Sequence, residues 1–110
     1  MIQETLKKID ERLAASPTLS PENRAALEEL LRDLRREIDA MDDEQAEQAE
    51  SIAGFTAASA REALRQSKDP DMLEYTLEGL RRSVREFELS HPKLTQVVNG
   101  ICHQLSNLGI

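Results

Sequence analysis

The pattern of apolar positions is dominated by one stretch, residues 20–68, in which apolar or glutamine side chains recur at alternating steps of four and three. A period of about 3.5 residues keeps such side chains on one stripe of an α-helix and is typical of helices that pack along a partner. The stripe consists of Leu27, Leu31, Leu34, Ile38, Met41, Gln45, Gln48, Ile52 and Phe55. The pattern predicts one long, coiled-coil-like helix over residues 21–67, which would span roughly 70 Å at about 1.5 Å per residue.

The middle of this predicted helix, residues 42–50, has the weakest packing pattern, because two seam positions are glutamine and like charges surround them. A break there is the alternative to one continuous helix. Small residues follow, and they would let a neighbouring backbone approach closely. We expect Gly54 to lie at such a contact, since glycine lowers helix stability by about 1 kcal/mol relative to alanine. The small residues are Ala46, Ala49, Ala53, Ala57, Ala60 and Ala63.

Capping residues and prolines divide the rest of the chain into three further helices. Ser20 and Asp69 each precede a proline, and a capping side chain followed by a proline at the first helical position begins a helix. His91 precedes Pro92, and a residue before proline is disfavoured in helical geometry, so one helix ends there and another begins. The predicted helices cover residues 2–15, 21–67, 70–90 and 92–108 of one helical domain, 1–110.

The C-terminal helix has an expected end of its own. Gly109 is expected to adopt the left-handed conformation that closes many helices, with Ile110 folded back onto Leu105. This arrangement would satisfy the last free carbonyl groups of the helix.

The lengths of the predicted helices favour a homodimer. Three helices would meet at one end of the long helix and only two at the other, and a two-helix hairpin cannot bury both of its apolar stripes. Two copies would therefore join their hairpin ends in a four-helix bundle. The candidate dimer interface consists of Ile52, Phe55, Leu73, Leu77, Leu80, Val84 and Phe87.

Composition agrees with an all-α fold class, since the 110 residues include only 4 Gly, 4 Pro and 3% aromatic residues. No apolar run reaches membrane-spanning length, and the first ten residues lack the apolar core of a signal peptide. A cytoplasmic location is therefore expected. The lone Cys102 cannot form an intrachain disulfide, which agrees with a reducing compartment.

The net charge of −7 is concentrated in one segment, residues 37–50, which holds seven acids and no base. Most such segments are solvated faces that keep a protein soluble. A functional alternative is a docking surface for a basic protein, or an imitation of nucleic-acid charge, whereas direct nucleic-acid binding is disfavoured by the sign. The candidate interaction surface consists of Glu37, Asp39, Asp42, Asp43, Glu44, Glu47 and Glu50.

Candidate chemistry is sparse. Glu88 and His91 have the Glu-x-x-His spacing found in di-iron bundles, but Pro92 places His91 at a helix boundary, where a role at the joint between helices fits better. Cys102 and His103 are adjacent, so on a helix they point about 100° apart and cannot act as nucleophile and base. No glycine-rich phosphate loop, zinc spacing or nucleophile elbow is present. We expect no enzymatic activity, no cofactor and no bound metal.

The C-terminal third resembles a family of short bacterial proteins known as a domain of unknown function. The resemblance rests on Phe87-Glu88, Ser90-His91-Pro92, Leu94-Thr95 and the final Leu-Ser-Asn-Leu-Gly-Ile of residues 105–110. The first 40 residues are similar only in kind, as an acidic, leucine-rich helical hairpin, and residues 42–69 are longer than in the short members. The resemblance implies a bacterial source and supplies no catalytic or binding residue.

Three classes of function remain open from the sequence. The first is a helical interaction or structural protein that forms a homodimer and presents a helical face to a protein partner. The second is an acidic inhibitor of a basic protein, and the third is a metal-dependent bundle enzyme. Charge-led binding weakens strongly with salt and apolar groove binding does not, so ionic strength separates the first two.

Overall fold

Five α-helices joined by short turns form the architecture in the computed structural model, which describes residues 2–108. They are α1 (Ile2–Ala15), α2 (Pro21–Asp39), α3 (Ala46–Ala63), α4 (Pro70–Ser83) and α5 (Pro92–Leu108). Residues 2–108 contain no strand, so the predicted all-α fold class is confirmed. The helix end expected at Gly109 and the contact expected for Ile110 lie outside the described residues.

The prediction of one helix over residues 21–67 is wrong, because the chain reverses between α2 and α3. The backbone N–H groups of Ala40 and Met41 bond to the carbonyls of Arg36 and Ile38 at 3.1 and 3.0 Å, which closes α2. A 3₁₀ turn, Asp43–Gln45, follows, and the Gln45 side chain accepts the backbone N–H of Asp42 at 3.0 Å. A glutamine side chain that accepts the N–H of the capping residue is half of a capping box, which is a signal for the start of a helix. The break between α2 and α3 therefore has a local cause in the sequence.

The predicted starts of the other helices are confirmed, and one predicted end is not. The Ser20 hydroxyl accepts the N–H of Asn23 at 3.1 Å, and the Asp69 carboxylate accepts the N–H of Met72 at 3.2 Å. The helix predicted over residues 70–90 ends at Ser83, and a 3₁₀ turn, Arg85–Phe87, carries the chain toward α5. Each new helix thus begins where a capping side chain or a proline indicates it.

Three helices, α1, α4 and α5, pack against α3, while α2 packs along α5 and α1, and α5 also contacts α4. The two-helix hairpin expected at one end of the long helix is found as the α3–α4 pair. The radius of gyration is 13.0 Å, and the principal extents are 38 × 24 × 22 Å. A compact domain of this length has a radius of gyration of about 13 Å. The expected 70 Å rod is thus replaced by a bundle closed within one chain.

The buried face of α3 is made of small side chains. Because they are short, α1 and α4 can approach α3 closely on either side, as expected for most of the alanines. Besides the carboxylate Glu62, the buried residues of α3 are Ala49, Ile52, Ala53, Thr56, Ser59, Ala60 and Ala63. The expectation for Gly54 is wrong within this chain, because a Cβ built on it meets no atom within 4 Å.

We predict that Gly54→Ala raises the free energy of unfolding by about 1 kcal/mol, because the added methyl meets open space and alanine is the better helix former. Urea unfolding of dilute protein, followed by circular dichroism, measures the change.

Gly79→Ala is the matched control, since it makes the same gain in helix propensity on α4. A Cβ there would overlap the Phe55 ring, so the ring must move and the gain should be offset or reversed. Equal effects of the two substitutions would contradict the packing described for α3 and α4.

Candidate interaction surfaces

An open groove lies between α3 and α4, and we refer to it as the Phe55 groove. It encloses about 390 Å³. A neighbouring hollow of about 290 Å³ continues it toward the start of α3. The groove is lined by Phe55, Tyr75, Glu78, Gly79 and Arg82, and the hollow adds Gln48, Ser51, Ser83 and Glu86.

The register of two helices builds this groove. Tyr75, Gly79 and Arg82 recur at steps of four and three, so they share one stripe of α4. Phe55 lies outside the buried small-residue face of α3 and leans across to α4. A Cβ on Gly79 would stand only 2.9 Å from Cζ of the Phe55 ring and closer still to two other ring atoms. Gly79 therefore gives the ring its place against the α4 backbone.

Two of the exposed large apolar side chains line the Phe55 groove, and a third lies beside it on α4. Within residues 2–108 there are four, with exposed fractions of 37% for Phe55, 42% for Met72, 73% for Tyr75 and 97% for Leu89. Phe55 and Tyr75 line the groove, and Met72 lies one helical turn before Tyr75 on α4. Grouped apolar side chains that stay in water mark an interaction site more often than scattered ones do.

The charges at the rim of the Phe55 groove are paired locally. Arg82 donates its Nε–H to Glu78 at 3.2 Å, and Arg81 pairs with Glu74 at 3.0 Å. The hydrogen bond from Arg82, with the positive charges of Arg82, Arg81 and Arg85, lowers the pKa of Glu78 from its ordinary value of 4.5. Because these charges already neutralise one another, the groove is suited to apolar contacts more than to charge–charge contacts.

The predicted acidic surface lies at the reversal between α2 and α3 rather than along one helix. Six of its residues, Asp39, Asp42, Asp43, Glu44, Glu47 and Glu50, are exposed, and Glu37 is half-buried. Asp39 accepts a hydrogen bond from the Gln3 amide at 3.1 Å. The acids thus form a projecting corner, which we call the acidic corner.

The candidate dimer interface is mostly inside the chain. Phe55 alone among its seven residues is exposed. The other six are buried: Ile52, Leu73, Leu77, Leu80, Val84 and Phe87. One chain covers these stripes by itself once α3 folds back, so the reason for expecting a second copy at those positions is removed. Self-association itself stays a prediction.

The face formed by α1 and α3 carries a second groove, which the sequence analysis did not identify. This basic groove encloses about 240 Å³, and all its charged lining residues are positive. It is lined by Thr5, Lys8, Ile9, Arg12, Gly54, Ala57, Ala58 and Arg61. Lys8 and Arg12, four apart on one stripe of α1, were the available signal. Their meeting with Arg61 depends on the reversal, which the periodicity did not show.

An acidic hollow of about 220 Å³ lies at the other end of the same face, between the starts of α1 and α3. Its charged lining residues are Asp39, Asp42 and Asp43. The starts of α1 and α3 line the acidic hollow, and later residues of both line the basic groove, so the two helices run in the same direction. The α1–α3 face is therefore acidic at one end and basic at the other.

Glu62 is a buried carboxylate that the sequence gave no reason to single out. Its side chain is 3% exposed and accepts a hydrogen bond from Arg65 at 2.9 Å, while Arg61 Nε stands 3.6 Å away. A buried charge needs such a partner. Because Arg65 makes the shorter contact, Arg61 is the arginine whose charge extends into the basic groove.

His91 lies at the joint before α5, as expected. Its ring meets Phe87 edge-on with centroids 5.5 Å apart, and its carbonyl accepts the N–H of Thr95 at 3.3 Å. Glu88 is exposed and lies in the turn after a 3₁₀ segment, so it does not share a helical face with His91. Within residues 2–108 no group of three or more His, Cys, Asp or Glu side chains is placed to hold a metal ion.

Cys102 is buried on α5, as expected for a small apolar-like side chain. Burial raises the pKa of its thiol above the ordinary value of 9.0, and the nearby positive charge of Arg81 opposes this only in part. The thiolate is the reactive form of cysteine, so this thiol is poorly reactive in the folded chain.

We predict that the free energy of unfolding falls more steeply above about pH 9 in the wild type than in Cys102→Ala. The pKa is higher in the folded than in the unfolded chain, so the unfolded chain loses its proton first. The contribution of the thiol to stability is complete below the unfolded pKa and is lost as pH rises toward the folded one, with a slope of up to about 1.4 kcal/mol per pH unit.

Urea unfolding of both proteins from about pH 8 to pH 10.5 tests this prediction. Because the two proteins differ only at position 102, the difference between the two curves isolates the thiol. Parallel curves would contradict the raised pKa.

The fold and its grooves define an all-helical protein whose distinctive features lie on its surface. No described helix is long and apolar enough to cross a membrane. The chain belongs to the family described as a domain of unknown function (DUF4404), which matches residues 55–110, just over half of the chain. The expected membership of a family without an assigned function is thereby confirmed. The chain matches no curated protein and no solved structure.

Proposed function

We propose that this chain is a non-enzymatic helical interaction protein that binds an amphipathic helix of a protein partner in the Phe55 groove. The observation that carries the proposal is the exposure of Phe55, Met72 and Tyr75 together along α3 and α4. A groove between two packed helices suits a third helix, which presents apolar side chains at steps of three and four residues. The matched family span includes all three side chains.

Apolar burial supplies the affinity in this proposal. Covering a large apolar side chain contributes about 1.5–3 kcal/mol, and two or three such side chains in one groove make a central cluster of the kind that dominates helix binding. Glu78 and Arg82 pair with each other at the rim, so a partner helix need not supply charges to satisfy them.

A homodimer in the cytoplasm completes the proposal. An acidic chain with one buried, unpaired cysteine suits a reducing compartment. The unpaired charges on the α1–α3 face are the support for self-association, and they lie away from the Phe55 groove. Partner binding and self-association therefore use different sides of α3.

An alternative function is favoured by the acidic corner. Its six exposed carboxylates project at a turn, with no base among residues 37–50. A basic protein could dock there, and the chain would then act as an acidic inhibitor or a nucleic-acid mimic. Binding of that kind is led by charge and weakens steeply with salt.

We predict that a photo-crosslinking phenylalanine in place of Tyr75 captures a protein in the cells that make this chain, while the same group in place of the exposed Lys93 on α5 does not. The captured segment, made as a peptide, should bind the purified chain with an affinity that changes less than about threefold between roughly 0.05 and 0.5 M salt. Phe55→Asp should weaken this binding about tenfold or more, because it puts a charge into the apolar centre.

Leu89→Asp is the matched control, since Leu89 is the exposed apolar side chain outside the groove. Its binding should equal that of the wild type, and circular dichroism checks that both variants keep their helices. A peptide insensitive to Phe55→Asp would contradict the groove. Steep weakening with salt, together with loss of binding in Glu44→Gln/Glu47→Gln, would favour the alternative.

A further inference from the structure

Apart from Arg61, which lies 3.6 Å from Glu62, the charged residues of the α1–α3 face make no ion pair within residues 2–108, unlike those on α4. Within residues 2–108, neither Lys8 nor Arg12 at the basic end makes an ion pair, and neither do Glu47 and Glu50 at the acidic end. The arginines of α4, by contrast, all pair with acids of the same helix. The α1–α3 face thus keeps opposite charges apart and available.

Gly54 lies midway between these charges. Glu47 and Arg61 are each seven residues from it, so all three lie within about 20° of one line along α3, roughly 10 Å apart. Among residues 2–108, no atom outside the adjoining backbone of α3 and the two neighbouring residues comes within 4 Å of a Cβ built on Gly54. This helix thus carries a glycine at a position where the fold of one chain does not require it.

We propose that a second copy of this chain covers the α1–α3 face, with a two-fold axis passing close to Gly54 perpendicular to the helices. The helices of one copy would run antiparallel to those of the other, with the acidic end of each over the basic end of its neighbour. This inference rests on the homodimer in the proposed function and names its interface.

The two-fold symmetry of a dimer is consistent with the positions of the charges on the α1–α3 face. A two-fold interface uses the same patch twice, so the patch must complement itself. Because Glu47 and Arg61 are equally far from Gly54, an axis at Gly54 brings Glu47 of one copy over Arg61 of the other, twice. Lys8 and Arg12 then lie over the acidic end that contains Glu50. The small residues Gly54, Ala57 and Ala58 leave room for the close approach.

The first test reverses each end separately. Lys8→Glu/Arg12→Glu turns the basic end acidic, so it faces the acidic end of the neighbouring copy. Glu47→Lys/Glu50→Lys places two lysines opposite the basic end of the neighbouring copy, so each variant introduces like charges across the proposed interface. Sedimentation equilibrium at about 0.05 M salt should show dissociation constants at least about tenfold higher than in the wild type. An equimolar mixture should recover association to within about threefold, because the two variants complement each other.

Arg32→Glu/Lys93→Glu is the matched control, since it makes the same charge change as the Lys8/Arg12 variant at exposed residues of α2 and α5. It should dimerise like the wild type. Gly54→Leu is the second test: its side chain fills the centre of the face, so dimers should be lost while dilute protein unfolds at no lower urea concentration.

A dimer that survives Gly54→Leu, or a mixture of the two charge variants that stays monomeric, would overturn the proposed interface. A dimer broken by Phe55→Asp but by none of these variants would also overturn it, while leaving the homodimer in place through the Phe55 groove. A wild type that stays monomeric at about 0.1 mM and low salt would overturn both the homodimer and its interface. Partner binding in the Phe55 groove would be unaffected by that result.

Discussion

The reversal between α2 and α3 is the constraint on which the rest of the structure depends. Residues 37–50 hold seven acids and no base, and like charges one turn apart disfavour a continuous helix. Gln45 supplies a polar side chain that caps a new helix instead, by accepting the N–H of Asp42. Once the chain turns here, α3 returns between α1 and α4, and the apolar stripes that would have required a second copy are covered within one chain. The acidic segment therefore contributes to the fold itself, by favouring the reversal between α2 and α3.

The small-residue face of α3 follows from its central position. A helix with neighbours on several sides can bury few large side chains, so alanine, threonine and serine line its inner side, and Ile52 and Glu62 are the large exceptions. The remaining large side chain, Phe55, must lie at the edge, where Gly79 of α4 makes room for its ring. The Phe55 groove is thus a consequence of how α3 is packed. Gly54 is exposed on a different side of the same helix. Two outward faces of α3 therefore differ: one carries the apolar Phe55, and the other carries Gly54 between charged residues.

The sequence predicts local structure here better than long-range contacts. Ser20 and Asp69 are local signals, and both cap helices as expected. The heptad pattern led to the wrong prediction of one continuous helix, because Gln45 fits a period of 3.5 and also fits a helix cap. Periodicity cannot distinguish a glutamine on the apolar stripe from one that caps a helix. Phe55 fits the same period of 3.5 but lies at the exposed edge of α3, because the periodicity does not show that the alanines of this helix face inward. The position of Arg61 beside Lys8 and Arg12 of α1 could not be predicted from the sequence, because residues about fifty positions apart come together only after the chain reverses.

The two surfaces of α3 have complementary consequences. Phe55 and Gly54 are neighbours in sequence and point about 100° apart on the helix, so a second copy on the α1–α3 face leaves the Phe55 groove uncovered. A dimer built that way would present two grooves related by symmetry. Two linked sites can raise the apparent affinity for a partner with repeated or paired helices by about 10²–10⁴ if the spacing permits both to bind. The separation of charge on one face and of apolar groups on the other would therefore allow the proposed dimer to form and the proposed partner to bind without competition between the two.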